Sequence, residues 1–304
     1  RRIDDEVDAG KGPAAIAGLM GVVENACLPF CAQQGIPENL CPASTTCQFA
    51  TGLLTSDLGT MRMYMMRTHR LTQGSPYATG TFRDDREAPD SIDVPVWIVT
   101  GTITPAEGFP TVVFAHALGA YKETGFYIAN TFAKAGFATV LMDLPFHGAR
   151  ASDIMNSTAI PGTSFPCGVT NGQFTNPNDV QCNFATGVCN GCDGVQDSSA
   201  EGFISPNIFA MRDNLRQATA DTLTLIHTIK EESKAGGALA FLNGDRIAYV
   251  GQSLGAIVGG TVAAYAAGDV ETFALNAVGG GMFTIVKNTF PTLAGPFWAG
   301  LAGG

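Results

Sequence analysis

The chain has 304 residues, 45% of them apolar and 14% charged, which allows a sizeable core and excludes disorder throughout. Lys and Arg number 17 against 27 Asp and Glu, a formal charge of −10, and so acidic a chain repels phosphate backbones, which argues against a nucleic-acid partner. No uninterrupted apolar run reaches the roughly 18 residues that span a bilayer.

Residues 1–90 read as an irregular N-terminal region ahead of a main domain over 91–304. The opening, Arg1-Arg2-Ile3-Asp4-Asp5-Glu6, is not a signal peptide and suits the start of a mature or trimmed product. Ala14 to Val23 suits a short helix, and Cys27, Cys31, Cys41 and Cys47 mark a stapled loop. Thr60 to His69 carries four Met and suits a strand or short helix packed on the main body. A second group, Cys167, Cys182, Cys189 and Cys192, lies in an equally polar, Gly-rich stretch. Such stretches build little core, so disulfides and an extracellular, periplasmic or cell-surface location are expected. Zinc is the rival use of these thiols. It is disfavoured because Cys189 to Cys192 is the sole C-x-x-C and no His pair sits at finger spacing.

From residue 94 the pattern changes. Val94 to Thr104 is β-branched and partly alternating, as in a strand. Thr111 to Ala115 is a short apolar run suited to a strand buried on both faces. Thr124 to Lys134 reads as a helix, stopped by Gly136. Ala138 to Leu144 is another buried strand. Arg212 to Lys234 is a long helix with Leu215, Leu223, Ile226 and Ile229 near one face. Then follow a strand (Arg246 to Val250), a helix of small residues (Leu254 to Ala267) and a strand (Thr272 to Val278). This alternation predicts an α/β fold, a mostly parallel sheet with helices on both faces. Residues 151–205, rich in Cys, Asn, Gly and Pro, break the rhythm and read as a Cys-rich insertion on the sheet's rim, a lid or pocket wall.

The strongest chemical signal is Gly251-Gln252-Ser253-Leu254-Gly255, a G-x-S-x-G run between a strand and a helix. A serine on so sharp a turn needs small neighbours, and the turn lifts its hydroxyl to the carboxyl edge of the sheet. Ser253 is thus the candidate nucleophile, and the N–H of Leu254 points where an oxyanion would form. The plain alternative is an ordinary Gly-rich strand–helix turn. His116-Ala117-Leu118-Gly119 follows a strand and offers a second donor, the N–H of Leu118; the His116 side chain reads as a loop-shaping group. Asp143 and His147 end another strand, and they too read as loop-shaping rather than as a dyad. His227 is mid-helix and His69 N-terminal, so neither is a strong candidate base.

TVVFAHALG (111–119), GFATVLMDLPFHG (136–148), RDNLRQATAD (212–221) and RIAYVGQSLGAIVGG (246–260), with GVQDSSAEGF (194–203), resemble the α/β-hydrolase fold, and within it bacterial extracellular lipases of the virulence-factor type. The resemblance covers about residues 92–285. It implies a secreted carboxylic ester hydrolase with Ser253 as nucleophile, Leu118 and Leu254 as oxyanion donors, and no cofactor or metal. Ala117 departs from the Gly common at its position. In this fold the acid and the His follow the nucleophile on loops after two later strands. Here one strand follows, and from residue 277 onward the chain has a single charge, Lys287, and no Asp, Glu or His. Asp269 and Glu271 precede that strand, the wrong place for the acid. The C-terminal part of the fold is therefore expected to be missing. A continuation or a second chain would supply the triad's acid and base, unless the site is rebuilt around His147 or His116.

The leading expectation is an esterase or lipase, with polyester activity open, acting on a small-molecule or lipid ester through an acyl-enzyme. The other class is a non-catalytic binding or assembly module on a hydrolase scaffold. Calcium is a third possibility, through Asn176, Asn178 and Asp179 or through Asp193 and Asp197, although their spacing matches no EF-hand loop.

Overall fold

A computed structural model describes residues 3–7, 57–73, 81–82, 91–148, 150, 182–183, 188–189, 203, 208–281 and 284. The short helix at 14–23, the first cysteine group and the calcium candidates lie outside them, as does most of the 151–205 insertion.

The strands are β1 (Ile3–Val7), β2 (Leu58–His69), β3 (Thr72–Gln73), β4 (Thr81–Phe82), β5 (Ser91–Gly101), β6 (Phe109–Ala115), β7 (Ala138–Met142), β8 (Cys182–Asn183), β9 (Val188–Cys189), β10 (Leu242–Gln252) and β11 (Thr272–Asn276). The helices are α1 (Phe126–Lys134), α2 (Ile208–Glu232) and α3 (Leu254–Ala266), with a 3-10 turn, Lys122–Gly125, ahead of α1. Seven strands form one sheet in the order β1-β2-β5-β7-β6-β10-β11.

The sheet is mixed rather than mostly parallel. β7, β6, β10 and β11 pair in parallel, whereas β5 is antiparallel to both β7 and β2, and β1 is antiparallel to β2. Residues 102–108 join β5 to β6, fewer than the dozen or so that a parallel crossover needs, so β5 has to run against β6. The strand at Thr60 to His69 thus belongs to the main sheet.

Side chains on the central strands alternate between two clusters. Trp97, Val99, Phe114 and Leu141 meet Phe126 and Ala129 of α1 on one face. Val94, Val96, Ile98, Val113, Val140 and Met142 join α2 and α3 residues, among them Ala218, Leu225, Ile226, Ile229, Leu254 and Val258, on the other. On α2 the fully buried face includes Leu225, while Leu215 and Leu223 are half-buried at its margin. α1 stops as its sequence predicts. Gly136 takes φ 84°, and the amides of Gly136 and Phe137 donate to the carbonyls of Ala133 and Phe132 at 3.0 and 2.9 Å, a Schellman cap.

This winding creates a switch point. The connection leaving β6 runs through α1 on one face to β7, while the one leaving β10 runs through α3 on the other face to β11. β6 and β10 are neighbours, so the connections leaving their carboxyl ends part to opposite faces of the sheet, the place where open α/β sheets bind ligands.

Candidate active site

Ser253 sits at the carboxyl end of β10, half-buried, with φ 52° and ψ −108°. Positive φ is unfavourable for a residue with a Cβ, so the surroundings must hold it. Its N–H donates to the Asn276 carbonyl at the end of β11, 2.9 Å away. Its carbonyl accepts from Ile257 at 3.0 Å, starting α3. The flanking glycines are required by packing. A Cβ on Gly251 would lie 2.5 Å from the Gly255 carbonyl oxygen, and one on Gly255 would collide with the Ala115 carbonyl.

Beside it, Ala115 is the register partner of Gly251, so the turn after β6 lies level with the elbow. The Ala120 N–H donates to the Ala117 carbonyl at 3.1 Å and Gly119 takes φ 75°, a four-residue turn with positive φ at its third position, as type II requires. The His116 carbonyl accepts the Gly255 N–H at 3.0 Å, joining this turn to the first turn of α3. Leu118 is thus on the turn that faces the elbow, and Leu254 is the first helical residue, whose amide has no partner within its own helix.

His116 is fully buried. Its Nδ1 is 2.9 Å from the Ala117 carbonyl, and its Nε2 accepts the Leu144 N–H at 3.0 Å. A carbonyl can only accept and an amide can only donate, so the ring is neutral with its proton on Nδ1. Burial lowers its pKa, against the pull of Asp143. His147 is buried as well and directs Nδ1 at the Pro145 carbonyl, 2.8 Å away. Burial lowers its pKa to about 3. Its Nε2 is buried and has no hydrogen-bond partner among the described residues. The two rings stand 5.0 Å apart, and Phe203 covers His147 at 5.4 Å. His69 and His227 are exposed. No hydrogen bond links any of the four histidines to Ser253.

Sequence reasoning missed a buried charge cluster behind the turn. Lys122 is fully buried, with Nζ 2.9 Å from Asp143 Oδ2, 2.9 Å from Glu123 Oε1 and 4.8 Å from the Trp97 ring centre. The Lys122 N–H also donates to Asp143 Oδ1 at 2.6 Å. Burial alone would push the Asp143 carboxyl up, but the charge of Lys122 and its hydrogen bonds outweigh that and hold the carboxyl below the usual range. Burial would likewise depress Lys122, and Asp143 and Glu123 hold it up. Arg150 donates to the Asp143 carbonyl at 3.1 Å and pairs with Asp221 at 2.9 Å. Asp221 in turn accepts from Thr68 at the end of β2 and from Gln217 on α2. Burial, opposed by Arg150, pushes the Asp221 carboxyl up. Among the described residues no group of three or more His, Cys, Asp or Glu could hold a metal ion.

No known family's sequence profile matches the chain, and no curated protein matches it. Solved structures similar to it include a Bacteroides fragilis protein assigned as an acetyl xylan esterase (11% identity, 68% of this chain and 44% of that one, TM-score 0.36). Others are a hyperthermophilic esterase from the archaeon Pyrobaculum calidifontis (12% identity, 58% and 36%, TM-score 0.31) and a hydrolase from Pseudomonas aeruginosa (15% identity, 60% and 41%, TM-score 0.30). The chain spans less than half the length of each.

Proposed function

We propose that the chain is a serine carboxylic ester hydrolase that works through an acyl-enzyme on Ser253. One observation carries this reading: a serine held at positive φ on a strand–helix turn, at the switch point of the sheet. An ordinary connection has no use for that strain. The Ser253 oxygen attacks the ester carbonyl, and the resulting oxyanion lies between the Leu118 and Leu254 amides, each such donor being worth about 3 kcal/mol. The C–O bond to the alcohol breaks, and the alcohol leaves with the proton taken from Ser253. Water then cleaves the acyl-enzyme and restores the hydroxyl. The reaction needs no cofactor.

His116 and His147 are sequestered, so the base is assigned to further polypeptide, a C-terminal continuation or a second chain, together with the acid. The kinship with virulence-factor lipases, a lipid or other apolar ester as substrate, and export from the cytosol belong to the same proposal.

Fluorophosphonate labelling of the protein with the base-supplying polypeptide present, read by intact mass and peptide mapping, tests this. The expected result is one phosphonyl group on Ser253, formed with loss of fluoride and absent from Ser253→Ala, in a chain whose mass also shows oxidised cysteines. A folded chain left unlabelled would overturn catalysis for this polypeptide and favour the binding-module reading.

A further inference from the structure

Gly255 is held from two sides. Its N–H donates to the His116 carbonyl at 3.0 Å, and its carbonyl accepts the Tyr249 hydroxyl at 2.6 Å. Tyr249 lies on β10, fully buried, with its ring beneath α3 and 5.7 Å from Phe273 of β11. Burial raises the phenol's pKa, so the hydroxyl keeps the proton it donates. A methyl group on Gly259 would collide with the Tyr249 ring, so α3 lies close enough for this bond only because residue 259 is glycine. The Gly255 carbonyl sits in the first turn of α3, where it is also placed to accept the helical N–H one turn on. The tyrosine bond is therefore additional to the helix's own and is not needed to form it.

We propose that Tyr249 is a positioning residue for the oxyanion hole, an assignment that rests on reading Ser253 as the nucleophile. Its hydroxyl fixes the first turn of α3 against β10. That turn carries the Leu254 amide, and through Gly255 it is bonded to the loop carrying Leu118. Loss of the hydroxyl leaves ring, core volume and helix in place and loosens only the spacing between the two donors.

The test compares the wild-type protein, the base-supplying polypeptide included, with Tyr249→Phe and Ser253→Ala, using a fluorophosphonate probe at varied concentration and site-resolved amide hydrogen exchange. In Tyr249→Phe the limiting labelling rate is expected to fall by about tenfold to a hundredfold, as misplaced donors do. The probe concentration for half-maximal rate should stay within about twofold, because the lost interaction acts on the transition state alone. Exchange at the Gly255 amide should accelerate while β6 and β7 stay protected. If Ser253→Ala abolishes labelling but Tyr249→Phe labels at the wild-type rate, the tyrosine's role is overturned and the nucleophile stands. Unchanged Gly255 exchange overturns it as well, even in a chain that labels slowly. If Ser253→Ala still labels at the wild-type rate, the nucleophile reading falls and takes this one with it.

Discussion

His147 shows what burial costs a single residue. Its ring lies in the core with one nitrogen bonded to Pro145 and the other without a partner among the described residues, and an unmet buried acceptor costs about 1–3 kcal/mol. The folded pKa is about 3 against an ordinary 6.5. At neutral pH both the folded and the unfolded ring are uncharged, so the stability is fully present. As pH falls below 6.5 the unfolded chain takes up a proton that the folded chain refuses, and stability drops by about 1.4 kcal/mol per pH unit until the folded pKa is passed. His116, lowered for the same reason, acts in the same direction, while Asp221, raised by burial, acts in the opposite one. Urea unfolding of wild type and His147→Phe between pH 7 and 5 isolates the one ring. The variant is expected to lie within about 1 kcal/mol of wild type at pH 7 and to lose less stability towards pH 5; parallel curves would refute it. At this scale Ser253 was legible because G-x-S-x-G followed an apolar run and preceded small residues. Tyr249 was not, since a tyrosine in a strand looks like any core aromatic until its hydroxyl's target is known.

At the scale of elements, the two turns at the site are held to β7 as firmly as to each other. Asp143 and Leu144 follow that strand directly. One binds the Lys122 backbone through its carboxylate, and the other gives its amide to His116. Removing one member of a buried ion pair typically costs about 3–5 kcal/mol, so Lys122→Met is expected to lose that much in urea unfolding. Asp143→Asn should then cost less in the Lys122→Met background than alone, because the carboxylate has lost its counter-charge; additive losses would mean the pair is not coupled. Nothing in the sequence announced this pairing. Lys122 and Asp143 are 21 positions apart, and a lone lysine before a helix looks like a solvated one. Helix and strand positions, by contrast, were legible from periodicity, with β10 reaching a few residues beyond its apolar run because Leu242 and Asn243 pair with Phe109 and Pro110 of β6. Strand direction was not legible, for an apolar run reads alike both ways, and only the shortness of 102–108 betrays that β5 is reversed.

Across the whole molecule, burial grades along the sheet. Every residue of β7 is buried, whereas β11, at the end of the order, alternates between exposed and half-buried positions. Amide exchange is therefore expected to be slowest in β7 and β6 and clearly faster in β11, since local opening is easiest where little apolar surface is lost; equal protection in all three would contradict it. The Lys122, Glu123, Asp143, Arg150 and Asp221 cluster also constrains how this sequence can drift. Each single replacement exposes the others to a penalty of about 3–5 kcal/mol, a large part of the roughly 5–15 kcal/mol that keeps a domain folded. An apolar set of the same volume could be equally stable, but single-step paths to it cross intermediates weakened by that amount. The charges are locked in as a group, and the loop that presents Leu118 inherits that permanence.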